Sequence, residues 1–240
     1  MTISAYEKTK GELAVASLTA RTHSLWLLKG FDTETAEIVR GLCRSLKESH
    51  DPETAALAER QLTEDMGTLS SLQTGWTVVF GSGHTSITPQ QSVLEEGLSM
   101  GKARDAARAF MLRCGAEPVR TGEPEDHIGI QVEFLAVLIE RFLLDGDPTN
   151  LIQARDFCAE HLAWISQLRE ITPVLFPENQ RESSTEAVLD LLELTIRFVE
   201  TLPSILDNAI ALFPSEVRDA EDEHVPHLKR VRKILWVTLR

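Results

Sequence analysis

Apolar residues in this chain recur at three- and four-residue steps, with almost no alternation at every second position. The clearest run starts at Ile128. Ile128, Val132, Leu135, Ile139 and Phe142 make one apolar face, and Ile130, Phe134, Val137 and Leu138 make a second. A helix that is apolar on two sides belongs at the centre of a core. The same periodicity, read with start and stop signals, predicts helices over roughly 4–28, 33–47, 52–72, 102–114, 127–144, 149–168, 185–202 and 204–213. Thr77-Val78-Val79-Phe80 is the one β-branched run, and four residues between Trp76 and Gly81 are too few to build a sheet. The expected fold class is therefore all-α.

Helix breaks are marked at Asp51-Pro52, Asp145-Gly146-Asp147-Pro148 and Phe176-Pro177-Glu178-Asn179. Two longer irregular stretches stand apart from these. Residues 80–92 hold Gly81, Gly83 and Pro89, and residues 115–125 hold Pro118, Gly122 and Pro124. The second stretch is read as a hinge, residues 115–125, between an N-terminal helical lobe (1–114) and a C-terminal helical lobe (126–240). Such a hinge permits a domain-swapped homodimer.

A chain of 240 residues can bury a substantial core without staples. Cys43, Cys114 and Cys158 are scattered, with no Cys-x-x-Cys spacing, which suits a reducing compartment. The first ten residues lack an apolar leader core, and no apolar run approaches the roughly 18 residues that cross a bilayer. A cytoplasmic protein without stable membrane insertion is expected. The formal net charge of -13 argues against broad nucleic-acid binding and favours basic partners. Near the C-terminus, acidic Glu216, Asp219, Glu221, Asp222 and Glu223 precede basic Lys229, Arg230, Arg232 and Lys233, a pattern read as solvated or mutually paired.

Candidate chemistry centres on Glu123-Pro124-Glu125-Asp126-His127-Ile128-Gly129. Pro124 disfavours helix at Glu123, and Asp126 is placed to cap the amides that follow, with His127 in the first turn. Asp126 and His127 read either as a cap with a polar first turn or as a ligand-contacting pair. Their side chains, about 100° apart on a helix, do not automatically meet. His161 shares a stripe with Phe157, Trp164 and Leu168 and is expected in the core. If His161 approached Asp126 and His127, a metal-dependent hydrolase would be the alternative function. Other enzymatic signatures are absent: Gly81-x-Gly83 lacks the Gly-Lys-Ser/Thr of a phosphate loop, no serine sits in a Gly-x-Ser-x-Gly elbow, and His224-x-x-His227 has no companion pair. Neither an enzyme nor a bound cofactor is expected.

Three blocks together resemble the TorD/DmsD/NarJ-type chaperones, all-helical proteins of redox-enzyme maturation. The first is Glu123-Pro124-Glu125-Asp126-His127-Ile128-Gly129, similar to that family's Glu-Pro-x-Asp-His-x-Gly signature. The second is Phe157, His161, Leu162 and Trp164, with Ala163 alone between the last two where the family has two residues. The third runs from Phe80-Gly81-x-Gly83 through Pro89 to Ser92-Val93, with Gln90 and Gln91 where the family carries a double proline. The blocks span roughly 76–168 in the family's order. The resemblance implies a non-enzymatic chaperone that binds the twin-arginine signal peptide and the apo-form of a molybdenum-cofactor oxidoreductase. It further implies that Asp126 and His127 lie at the client-peptide site beside Glu123, that Gly129 permits close approach, and that Trp76, Phe80 and Pro89 flank the site.

Overall fold

The computed structural model describes residues 5–63, 68–81, 85–117 and 122–212. Gly83, Pro118, His224, His227 and the two charge clusters near the C-terminus lie outside the described residues. The described residues form ten α-helices, in order α1 (Ala5–Lys29), α2 (Thr33–Leu46), α3 (Pro52–Arg60), α4 (Leu69–Phe80), α5 (Gln91–Glu96), α6 (Lys102–Arg113), α7 (Ile128–Asp145), α8 (Thr149–His161), α9 (Ser166–Leu175) and α10 (Ser183–Ile210). Among the described residues there is no β-strand, and a single antiparallel bridge pairs Gln90 with His127. The chain is all-α, as its periodicity predicts.

The local signals act where they stand. Asp32 accepts the Thr35 amide at the start of α2, and Asp51 accepts those of Glu53 and Thr54 ahead of Pro52 in α3. Gly146, in the left-handed region at φ 74°, ends α7 by donating to the Phe142 carbonyl. Both apolar faces of α7 are buried, and α1 packs along its length. Arg21 of α1 clamps this pair, reaching Glu140 through two bonds of 2.9 and 2.6 Å and forming an ion pair with buried Glu133. The second long packing joins α4 to α10. At their crossing a Cβ on Gly75 would lie 1.8 Å from the Ser184 carbonyl oxygen, so only glycine allows this approach.

Three predicted boundaries move. The helix expected over 52–72 stops at Arg60, and α4 starts at Leu69 behind a Thr68 cap, taking Thr77-Val78-Val79-Phe80 as its last turn. The helix expected over 149–168 is interrupted after His161 by a 3-10 turn, Ala163–Ile165. Conversely, α10 runs unbroken through Pro203. A mid-helix proline costs about 3 kcal/mol; burying Val199, Leu202 and Leu206, each contributing on the order of 1.5–3 kcal/mol, offsets it. One core cluster draws on α1 and α4 before the predicted hinge and on α7 and α10 after it. Where that predicted stretch begins, Arg141 of α7 donates to the carbonyls of Cys114 and Gly115 at 2.7 and 3.1 Å.

Candidate functional site

The N-terminus of α7 is enclosed by a polar collar. The Ile128 amide donates to the Pro89 carbonyl at 2.9 Å and the Gln91 amide to the Asp126 carbonyl at 3.2 Å, so the segment before α5 runs beside the segment before α7. Asp126 is fully buried, and its Oδ2 accepts the Ser92 amide at 2.8 Å. It therefore caps α5, whose own N-cap residue Gln90 supplies no side-chain bond. The predicted capping of α7 by Asp126 is corrected accordingly: the chain turns at Asp126 so that its carboxylate points at the earlier helix. His127 takes the capping role in α7. Its Nδ1 accepts the Gly129 amide at 3.0 Å, and burial pushes the imidazole pKa down to about 4, leaving it neutral at pH 7.

A second polar chain ties the collar to the core. The Trp164 indole N–H donates to Gln131 Oε1 at 3.0 Å, Gln131 donates to Gln91 Oε1 at 3.4 Å, and Gln91 donates to Glu95 at 3.0 Å. Gln91 thus links α5 to α7. Asp126 Oδ1 and the Ser92 hydroxyl, both buried, have no hydrogen-bond partner among the described residues.

Outside the collar the surface changes character. Glu125 is held against α6 by Arg104 at 2.6 Å and Arg108 at 3.6 Å. Beyond it lies a cleft of about 520 Å³ lined by Leu112, Glu117, Glu123, Pro124 and Ile130 among others. Arg104 and Arg108 line it too, both turned to Glu125, while Glu117, Glu123 and Leu112 are exposed and place two further carboxylates beside apolar surface.

The remaining predicted residues occupy other positions. A Cβ on Gly129 would lie 2.7 Å from Leu28 Cγ, so this glycine admits α1 to the head of α7. Trp76 and Phe80 turn toward the end of α1: Trp76 lies against Gly30, and Phe80 stands 6.0 Å from the rings of both Trp76 and Trp26. Pro89 contributes its backbone carbonyl. His161 sits in an aromatic cluster, its ring 5.4 Å from Phe110 and 4.9 Å from Phe157, with its pKa lowered chiefly by burial. The metal-site reading required His161 beside Asp126 and His127. Among the described residues no three His, Cys, Asp or Glu side chains converge as a metal site would require. Burial raises the thiol pKa values of Cys43 and Cys158 to about 12 and that of Cys114 to about 11, so none is a thiolate at pH 7.

Sequence reasoning missed one feature, a groove of about 580 Å³ between α1 and α10. Val15, Ala16, Leu46, Leu194, Phe198 and Ile205 are among its lining residues, with buried His23 at its floor. Its only signal was an apolar face of α1 wider than one neighbour can cover, with Val15 64% exposed.

No curated protein matches the chain. A crystal structure assigned as a redox enzyme maturation protein from Archaeoglobus fulgidus is similar over 86% of this chain and 96% of that one, at 21% identity and a TM-score of 0.42. The family model described as nitrate reductase delta subunit matches residues 29–170, a span that contains the collar, α7 and the His161 cluster. This all-helical chain, with its Asp-His collar at the head of a buried central helix, belongs to the nitrate reductase delta subunit family of redox-enzyme maturation chaperones.

Proposed function

We propose that the protein is a cytoplasmic chaperone that holds the twin-arginine signal peptide, and the apo-form, of a molybdenum-cofactor oxidoreductase before export. The observation that carries this reading is the cleft outside the collar, where Glu117 and Glu123 stand beside Leu112 and Ile130. A leader with a basic start and an apolar centre needs carboxylates next to apolar surface. The overall charge of -13 draws the basic end in. Each exposed carboxylate–guanidinium contact contributes about 0.2–1 kcal/mol, so affinity comes from several such contacts together with apolar burial.

In this reading Asp126, His127, Gly129 and Pro89 position the wall of the cleft, because they fix α5 and α1 around the head of α7. Trp76 and Phe80 steady the end of α1. A guanidinium from outside does not reach the Asp126 carboxylate while α5 is docked, since that side chain has no exposed surface. Recognition of the arginines falls to Glu117 and Glu123. Affinity purification from cells, with mass spectrometry of what accompanies the wild type and a Glu117→Gln/Glu123→Gln variant, tests the reading. Enrichment of one molybdoenzyme subunit, diminished in the variant, is expected; recovery of no redox-enzyme subunit with the wild type would overturn it.

A further inference from the structure

We propose that Met100 is a specificity-determining residue of the cleft outside the collar, the side chain against which the apolar centre of a bound leader packs. The inference rests on the client reading and names the residue of that site that takes the leader's apolar part.

Met100 stands where a side chain is costly. The turn between α5 and α6 places it in the left-handed region at φ 65°, and every other described residue with positive φ is glycine. Glycine enters that region freely, whereas a Cβ there crowds the following carbonyl oxygen. The conformation is held from both ends. Gly97 closes α5 by donating to the Val93 carbonyl at 3.0 Å, and the Glu96 carboxylate accepts the amides of Lys102 and Ala103 at 3.1 and 2.9 Å where α6 begins. Met100 does not relax without undoing one of these helix ends, and strain that the surroundings enforce in this way clusters at functional sites.

Packing does not account for the methionine. Its side chain is 62% exposed and takes no part in the core cluster. A residue that suits neither its backbone nor the core has one visible role, the surface it presents. That surface is in the cleft of about 520 Å³, which Met100 lines together with Leu112, Pro124 and Ile130. The unbranched thioether of methionine adapts to apolar side chains of different shapes.

The charges on the same lining select the occupant. Glu117, Glu123 and Glu125 stand against Arg104 and Arg108, so carboxylate is in surplus among the described lining residues. A peptide that is basic at one end and apolar further along matches both parts of this surface.

Fluorescence anisotropy on the full chain tests the proposal, with a labelled synthetic leader of two adjacent arginines followed by a stretch of leucine and alanine. Met100→Gly removes the side chain and relieves the backbone, so affinity should fall about tenfold while the melting temperature stays equal or rises. Met100→Leu, which retains an apolar side chain of similar volume, should bind within about twofold of the unsubstituted protein. Replacing the peptide's leucines by alanine should weaken binding to the unsubstituted protein and add little to the loss in Met100→Gly, because both changes remove one contact. Unchanged affinity in Met100→Gly, a lowered melting temperature in that variant, or fully additive losses would overturn the role of Met100 and leave the client reading standing. Absence of binding to the unsubstituted protein would overturn both.

Discussion

Two buried histidines stand in opposite settings. His127 lies in the polar collar at the head of α7, where Nδ1 accepts the Gly129 amide and the backbone on either side is bonded to the approach to α5. His23 lies under the open apolar groove, with its Nε2 unpartnered among the described residues and Phe198 tilted against it at 5.6 Å. Burial keeps both imidazoles neutral at pH 7. The contrast teaches where recognition and scaffolding divide in this molecule. The Asp126-His127 pair is turned inward and holds helices together, while the surface we propose takes the client is the outer wall.

The largest expected effect is on acid stability. Both histidine pKa values are depressed, to about 4 for His127 and about 3 for His23 from 6.5, so below pH 6.5 the unfolded chain binds protons that the folded chain refuses. Stability present above pH 6.5 is lost as pH falls, each histidine removing up to about 1.4 kcal/mol per pH unit until its folded pKa is reached. Urea melts between pH 7 and 4 should show the decline, and His127→Asn or His23→Asn should each make it shallower. A slope unchanged by His127→Asn would break the account of the collar.

Next in size is Asp126→Ala. It removes the side-chain cap that α5 receives and strands the buried Ser92 amide, at a cost of about 1–3 kcal/mol in thermal or chemical melts. A melting temperature equal to the unsubstituted protein would place Asp126 outside the scaffold. Smallest is Glu117→Gln with Glu123→Gln. These exposed positions should change stability by less than about 0.5 kcal/mol. Leader-peptide binding should weaken by about 0.2–1 kcal/mol per residue, an effect that shrinks as salt rises. An affinity loss insensitive to salt would argue against direct charge contacts.

The sequence made the core of α7 readable because nine apolar positions on two faces leave no other place for that helix. His161 was readable for the same reason, as one step in an aromatic stripe. The role of Asp126 was not, because its partner, the Ser92 amide, lies 34 residues away in a six-residue helix too short to show periodicity. Local rules assign a cap to the helix that follows it, and only the bridge between Gln90 and His127 turns the carboxylate toward the earlier one. Pro203 misled for the converse reason: a local breaker was outweighed by the burial of the side chains around it. The groove left only the width of α1's apolar face as a trace, since an apolar face reads the same whether a neighbour covers it or not.

Isothermal titration of a twin-arginine leader peptide into the unsubstituted protein, Asp126→Ala and Glu117→Gln/Glu123→Gln, at a temperature where all three remain folded, tests the division most directly. The account predicts that the outer-wall variant loses affinity with its melting temperature unchanged, whereas Asp126→Ala loses stability first. Full affinity in the outer-wall variant, together with abolished binding in a fully stable Asp126→Ala, would contradict it.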